Sequence, residues 1–149
     1  MEHSIEHLRD LRRQLNSIEH MIYVSCKFTR TSEMLRKVME TIVVGYEQFF
    51  SLAYMMFSEQ EGGHEIGSVQ HKVQLLTEVL SARGIHIDLS DYFLLKRLLI
   101  SDFESIGEYR KNLCIVSYMD GQEYMINMPK LLEFYENLKL ACGALHSLM

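Results

Sequence analysis

Ile42-Val43-Val44-Gly45-Tyr46-Glu47-Gln48-Phe49-Phe50-Ser51-Leu52-Ala53-Tyr54-Met55-Met56-Phe57 is the most apolar run in the chain. At 16 residues, interrupted by Glu47, Gln48 and Ser51, it is shorter than the roughly 20 predominantly apolar residues a membrane-spanning helix needs. Upstream the same pattern continues. Leu35, Val38, Ile42, Tyr46, Phe49, Ala53 and Phe57 recur every three or four positions, and Val43, Phe50 and Tyr54 widen the stripe. An apolar stripe this broad has to be covered on several sides, so the spacing predicts the buried central helix of a soluble bundle. Thr31 or Ser32 is placed to cap its N-terminus.

The preceding segment predicts a long first helix from Ser4, read as an N-cap, to about Phe28. Its Leu8, Leu11, Leu15, Ile18 and Ile22 form a narrow seam spaced 3, 4, 3 and 4, with Arg9, Arg12, Arg13 and Glu19 off it, a coiled-coil-like pattern that packs along one long neighbour. After the central helix, Ser58 to Gly67 carries three glycines and no periodicity, and reads as a loop. Ser68 then caps a third helix with Val69, Val73, Leu76 and Leu80 inward and Gly84 as its stop. Asp88 or Ser90 opens a fourth, with Tyr92, Leu95, Leu99, Phe103 and Ile106 along one face. Two β-rich runs flank Asp120-Gly121, a hairpin dipeptide; the competing reading carries the fourth helix on through Val116 and ends it there. Pro129 suits the first turn of a last helix, whose Leu131, Tyr135, Leu138, Cys142 and Leu145 repeat the first helix's seam. The expected fold is an all-α single domain over 1–149: a helical bundle of about five helices with a small β-hairpin insertion near 113–128. No 20–50-residue repeat marks a solenoid.

Composition agrees. The chain is 48% hydrophobic and 23% charged, with one proline and eight glycines in 149 residues, too few turn residues for an all-β fold. The net charge of −5 makes it a poor general binder of nucleic acid, DNA included, and of anionic membranes, while leaving room for a local basic patch. Cys26, Cys114 and Cys142 are odd in number and far apart, unlike a disulfide framework or a zinc site, and the polar, acidic N-terminus is not a secretory signal. The expectation is a cytoplasmic protein with reduced thiols and no metal or cofactor.

Most motifs of catalysis are missing. His64-Glu65 begins an HExxH pattern, but the next histidine, His71, is seven residues on, where a zinc pair on one helical face needs four. The histidines His3 and His7 are spaced four apart but lack further ligands. There is no GxSxG, no phosphate-binding glycine loop, and no catalytic cysteine signature. Asp102/Glu104 and Glu133/Glu136 read as solvated helix faces. Two clusters stand out. Tyr23, Lys27 and Arg30 fall at i, i+4 and i+7, a polar stripe at the end of the first helix. Tyr109-Arg110-Lys111-Asn112 sits where the fourth helix gives way to the hairpin. Arginine beside asparagine offers a bidentate guanidinium and an amide to a phosphate, if the first and fourth helices pack side by side. The plainer reading pairs Arg110 with Glu108 or Asp102, or with a helix C-terminal dipole, and makes Asn112 a helix stop.

At these residues the chain resembles the HEPN superfamily, small all-α domains of prokaryotes. The shared order is a long amphipathic helix, a hydrophobic second helix, a Gly/His loop, a third helix, and an arginine-plus-polar step before the last helix. Arg110, two residues before Asn112, supplies the family's arginine; no histidine lies between Arg110 and the last helix. The resemblance implies a bundle of four or five helices that commonly dimerises, and active members cleave RNA where two arginine–histidine motifs meet across the dimer. The leading expectation is a non-catalytic HEPN-like bundle. It would act by self-association as a homodimer or by binding a protein partner such as a nucleotidyltransferase, with Arg110, Asn112, Tyr109, Lys27, Arg30 and Tyr23 forming a small pocket for an anion or RNA phosphate. The alternative is an RNA endonuclease, toxin-like, that takes its base from His64, His71 or His86.

Overall fold

The computed structural model describes residues 2–58 and 69–149. The chain runs through α1 (Glu2–His20), a π-helical turn (Met21–Ser25), the single turn α2 (Cys26–Phe28), α3 (Ser32–Ser58), α4 (Val69–Ala82) and α5 (Ser90–Ile100). Then come β1 (Phe103–Ile106), β2 (Cys114–Met119), β3 (Gln122–Ile126) and α6 (Met128–His146). The fold is largely helical, with five long helices and one small antiparallel sheet ordered β1-β2-β3. The expected loop at Ser58–Gly67 and the cap at Ser68 fall on or beyond the edge of the described residues.

The hub is the helix that the apolar run demands. Leu35, Val38, Ile42, Tyr46, Phe49 and Ala53 of α3 are buried almost completely, and α1, α4, α5 and α6 all pack on it. Thr31 caps it, its hydroxyl accepting the Met34 N–H at 3.2 Å. Phe50 meets Tyr92 of α5 edge-on at 5.0 Å, an aromatic contact that ties the two helices beyond plain area burial. Gly45 lies at the tightest crossing. A Cβ there would stand 2.8 Å from a Leu138 methyl of α6 and 3.5 Å from an Ile18 methyl of α1.

Helix α1 starts at Glu2, so Ser4 lies inside it rather than at its cap; no glycine or proline upstream forces a later start. The π turn has a packing reason. Ile18, Ile22 and Cys26 are all buried but lie four residues apart, and each such step overshoots one α-helical turn by about 40°. A wider turn between them returns Cys26 to the buried face. The seam residues Leu11, Leu15, Ile18 and Ile22 are buried within the chain, as are Leu131, Tyr135, Leu138, Cys142 and Leu145 of α6. Leu8, the first residue of the α1 seam, is half-buried.

The largest departure from the sequence reading follows α5. This helix stops at Ile100, where Ser101 turns extended (φ −86°, ψ 156°) and its hydroxyl donates to the Leu98 carbonyl at 2.8 Å. Phe103 and Ile106 therefore belong to a strand, not to a helix face, and Asp102 and Glu104 are exposed on an extended segment. Phe-Glu-Ser-Ile has the i, i+3 apolar spacing of a helix and no two-residue alternation; pairing with β2, Phe103 opposite Ser117 and Ile106 opposite Cys114, makes it a strand, and all four residues are exposed. The hairpin is present as expected. Asp120 and Gly121 have φ of 53° and 76°, the doubly left-handed geometry that two-residue hairpins favour. What was expected as an isolated hairpin is thus a three-stranded sheet, with Ile115 and Ile126 facing the core. Gly84 ends the helical turn after α4 at φ 79°, and Asn127 caps α6 by accepting the Lys130 N–H at 2.9 Å, with Pro129 in the first turn.

Candidate functional site

The two clusters singled out from sequence do meet, through loops rather than helices. Tyr109, Arg110, Lys111 and Asn112 lie in the β1–β2 loop, not at a helix end, so Asn112 is no helix stop and Arg110 does not complement a helix dipole. Lys27 is in α2 and Arg30 in the link to α3, while Tyr23 is in the π turn. Helix α1 packs on α3 and α6; the expected side-by-side packing of the first and fourth helices is not what joins the clusters. The join is a backbone hydrogen bond in which the Tyr109 N–H donates to the Arg30 carbonyl at 2.6 Å.

The loop is built for this contact. Gly107 has φ 78°, and a Cβ there would come within 3.0 Å of the Asn112 side-chain oxygen and 3.4 Å of its carbonyl. Only glycine fits so close an approach. Asn112 therefore closes the turn against Gly107. The Arg110 N–H donates to Gly107 at 2.9 Å and the Leu113 N–H to Arg110 at 3.2 Å. Tyr109 is held at φ 67°, a left-handed conformation costing a non-glycine residue about 1–2 kcal/mol; the Arg30 contact helps hold it there.

Glu108 locks the arrangement. Its carboxylate accepts the Ser105 hydroxyl and, at 2.9 Å, the Ser32 N–H at the start of α3. Hydrogen bonds from Ser105, then from the Ser32 hydroxyl and N–H, hold its pKa below the ordinary carboxylate value. An anion at a helix N-terminus also meets the positive end of the helix dipole. Glu108 is thus spent on α3, and Arg110 has no carboxylate partner. Among the described residues none of Lys27, Arg30, Arg110 and Lys111 is in an ion pair. Phe28 and Tyr109, on the same two segments, are exposed at 86% and 78%; Tyr23 is exposed too, but it lies beside Tyr135 of α6 instead of joining them. The sequence reading had missed Phe28, Ser32, Ser105 and Gly107. Gly107 was the available signal, since a glycine in the middle of an expected helix marks a break.

The histidines lie elsewhere. Lys72 of α4 sits over the Tyr54 ring and Arg83 over Phe57, so α4 packs against the far half of α3. From Ser32 to Tyr54 is 22 helical residues, about 33 Å. His71 and His86, neighbours of Lys72 and Arg83 in the chain, are therefore remote from Arg110 within one chain; His64 lies outside the described residues. Among the described residues there is no group of three potential metal ligands, and no helix is long and apolar enough to cross a membrane. All three cysteines are buried thiols; burial pushes Cys142 up to about 12, so none is an activated nucleophile. No family model matches the chain, and no curated protein or solved structure shows significant similarity to it.

Proposed function

We propose that this chain is a non-catalytic, HEPN-like binding module that works by association, and that the corner between the α2–α3 link and the β1–β2 loop takes the phosphates of single-stranded RNA. One observation carries the reading. The Tyr109–Arg30 backbone contact joins two segments that carry Lys27, Arg30, Arg110 and Lys111, none of them in an ion pair among the described residues, on a chain whose net charge is −5. Guanidinium groups match phosphate oxygens, and the exposed rings of Phe28 and Tyr109 offer faces on which unpaired bases stack. Self-association as a homodimer belongs to the same proposal. Because both helical seams, Leu8 apart, are buried within the chain, it would use surfaces other than the seams.

The test is fluorescence anisotropy of a labelled oligouridylate at low salt, with wild type, Arg110→Ala and Arg30→Ala, alongside sedimentation of each protein. Binding that falls about tenfold in each variant, as loss of one charge-assisted contact implies, with unchanged melting temperature, supports the corner. Absence of binding by wild type overturns it. Cleavage of the oligonucleotide that disappears in Arg110→Ala overturns the non-catalytic assignment.

A further inference from the structure

A second candidate site lies between α1 and α6. Arg12 of α1 contacts His146 of α6, a guanidinium nitrogen 3.0 Å from Nδ1. Seven residues along α1, the Tyr135 hydroxyl of α6 donates to the Glu19 carboxylate at 2.9 Å. The pairing of 12 with 146 and 19 with 135 makes the two helices antiparallel, clasped at two points about 10 Å apart along α1 and about 16 Å apart along α6. Between the clasps is a groove of about 330 Å³, within the size range of small-ligand sites. Its floor is apolar, with Leu11, Leu15 and Cys142 buried beneath the half-buried Leu8.

Its rim is unbalanced in charge. Glu19, the acid lining the groove, accepts the Tyr135 hydroxyl. Arg12 and Lys139 have no ion pair among the described residues, and Arg12 spends its donor on a histidine instead of a carboxylate. Two basic groups on the rim against one carboxylate, neither of the two in an ion pair among the described residues, above a floor of leucines, complement a ligand that is apolar along its length and anionic at one end. Gly143 lines the groove, and a Cβ at that position would meet nothing within 4 Å, so a larger side chain can be introduced there.

We propose that the α1–α6 groove binds an amphipathic monoanion, its hydrocarbon part along Leu8, Leu11, Leu15 and Cys142 and its carboxylate or phosphate between Arg12 and Lys139. This site is independent of the RNA-binding corner and stands or falls separately. Titration calorimetry with decanoate, decyl phosphate and decan-1-ol tests it. The two anions are expected to bind, the tighter of them identifying the headgroup, and decan-1-ol to bind at least about tenfold more weakly. Arg12→Ala and Lys139→Ala are each expected to weaken the better anion about tenfold. Gly143→Leu, which fills the groove from a helical position with open space, is expected to abolish binding without lowering the melting temperature. Failure of both anions to bind, equal binding of the alcohol, or binding that survives Gly143→Leu overturns the proposal. So does a wild-type dimer that Gly143→Leu dissociates, because a second copy then occupies the groove.

Discussion

Gly45 and Gly143 form a matched pair. Both are interior to helices, so replacing either with alanine gains the same intrinsic term, up to about 1 kcal/mol. The surroundings differ. At Gly143 the new methyl meets open space; at Gly45 it stands 2.8 Å from the Leu138 methyl and 3.5 Å from the Ile18 methyl, and both of those side chains are wholly buried. Overpacking a closed core costs about 1–3 kcal/mol. Gly143→Ala is therefore expected to stabilise by up to about 1 kcal/mol, while Gly45→Ala is neutral to about 2 kcal/mol destabilised. The propensity terms cancel in the comparison, leaving about 1–3 kcal/mol between the variants. For a chain of this size each kcal/mol moves the melting temperature by roughly 2–4 °C, well within reach of calorimetry and of urea titrations that also report the m-value. Equal shifts in the two variants would show that α1, α3 and α6 do not converge on Gly45, and the packing of the hub would have to be redrawn.

Phe49, fully buried on α3, is expected to lose about 3–5 kcal/mol on truncation to alanine; an unchanged melting temperature would remove it from the core. Glu108 has a folded pKa below its ordinary value, so its contribution is present above the unfolded value and is lost as pH falls through the folded one. Hydrogen exchange at the Tyr109 and Ser32 amides is accordingly expected to quicken relative to the core as acid protonates Glu108, and Glu108→Gln is expected to show that faster exchange already at neutral pH; wild-type rates in the variant would refute the latch. Cys142, pushed up to about 12 by burial, is expected to react with iodoacetamide far more slowly in the native protein at pH 8 than in urea, and equal rates would contradict its burial.

The helices were legible because burial and periodicity are one signal on an amphipathic helix: every inward position read for α3 from Leu35 to Phe57 is buried or half-buried. Asp120-Gly121 and Pro129 were legible for a different reason: Asp-Gly readily takes the left-handed φ values that a two-residue hairpin needs, and the proline ring fixes φ at a value suited to the first turn of a helix. Phe103 to Ile106 was not legible, because its i, i+3 apolar spacing is that of a helix and the deciding partner, β2, is supplied only by the fold. The site shows the same division. Arg110, Lys27 and Arg30 could be picked out by residue type, yet the hydrogen bond joining their segments runs between backbone groups of Tyr109 and Arg30, which carry no residue-specific mark. The side-by-side packing of the first and fourth helices, given as the condition for their meeting, is not what joins these segments.

The placement of Glu108 explains why that neighbourhood is basic at all. The loop Glu108-Tyr109-Arg110-Lys111 carries one acid beside two bases, and a loop left to itself would offset one of its positive charges internally. Here the acid is drawn onto the first turn of α3 by Ser32, with Ser105 adding a third donor, where a negative charge also satisfies the helix N-terminus. The one interaction therefore docks the loop, brings the Tyr109 amide to Arg30, and leaves Arg110 and Lys111 exposed without their nearest counter-charge. Under the proposed function, RNA binding at the corner is coupled to the α3 N-terminus through Glu108: Glu108→Gln is expected to weaken the hold of the loop on α3 but also to remove a negative charge from the corner. The two effects separate by salt. A purely electrostatic gain in RNA affinity fades as ionic strength rises, whereas a loss caused by an undocked loop persists.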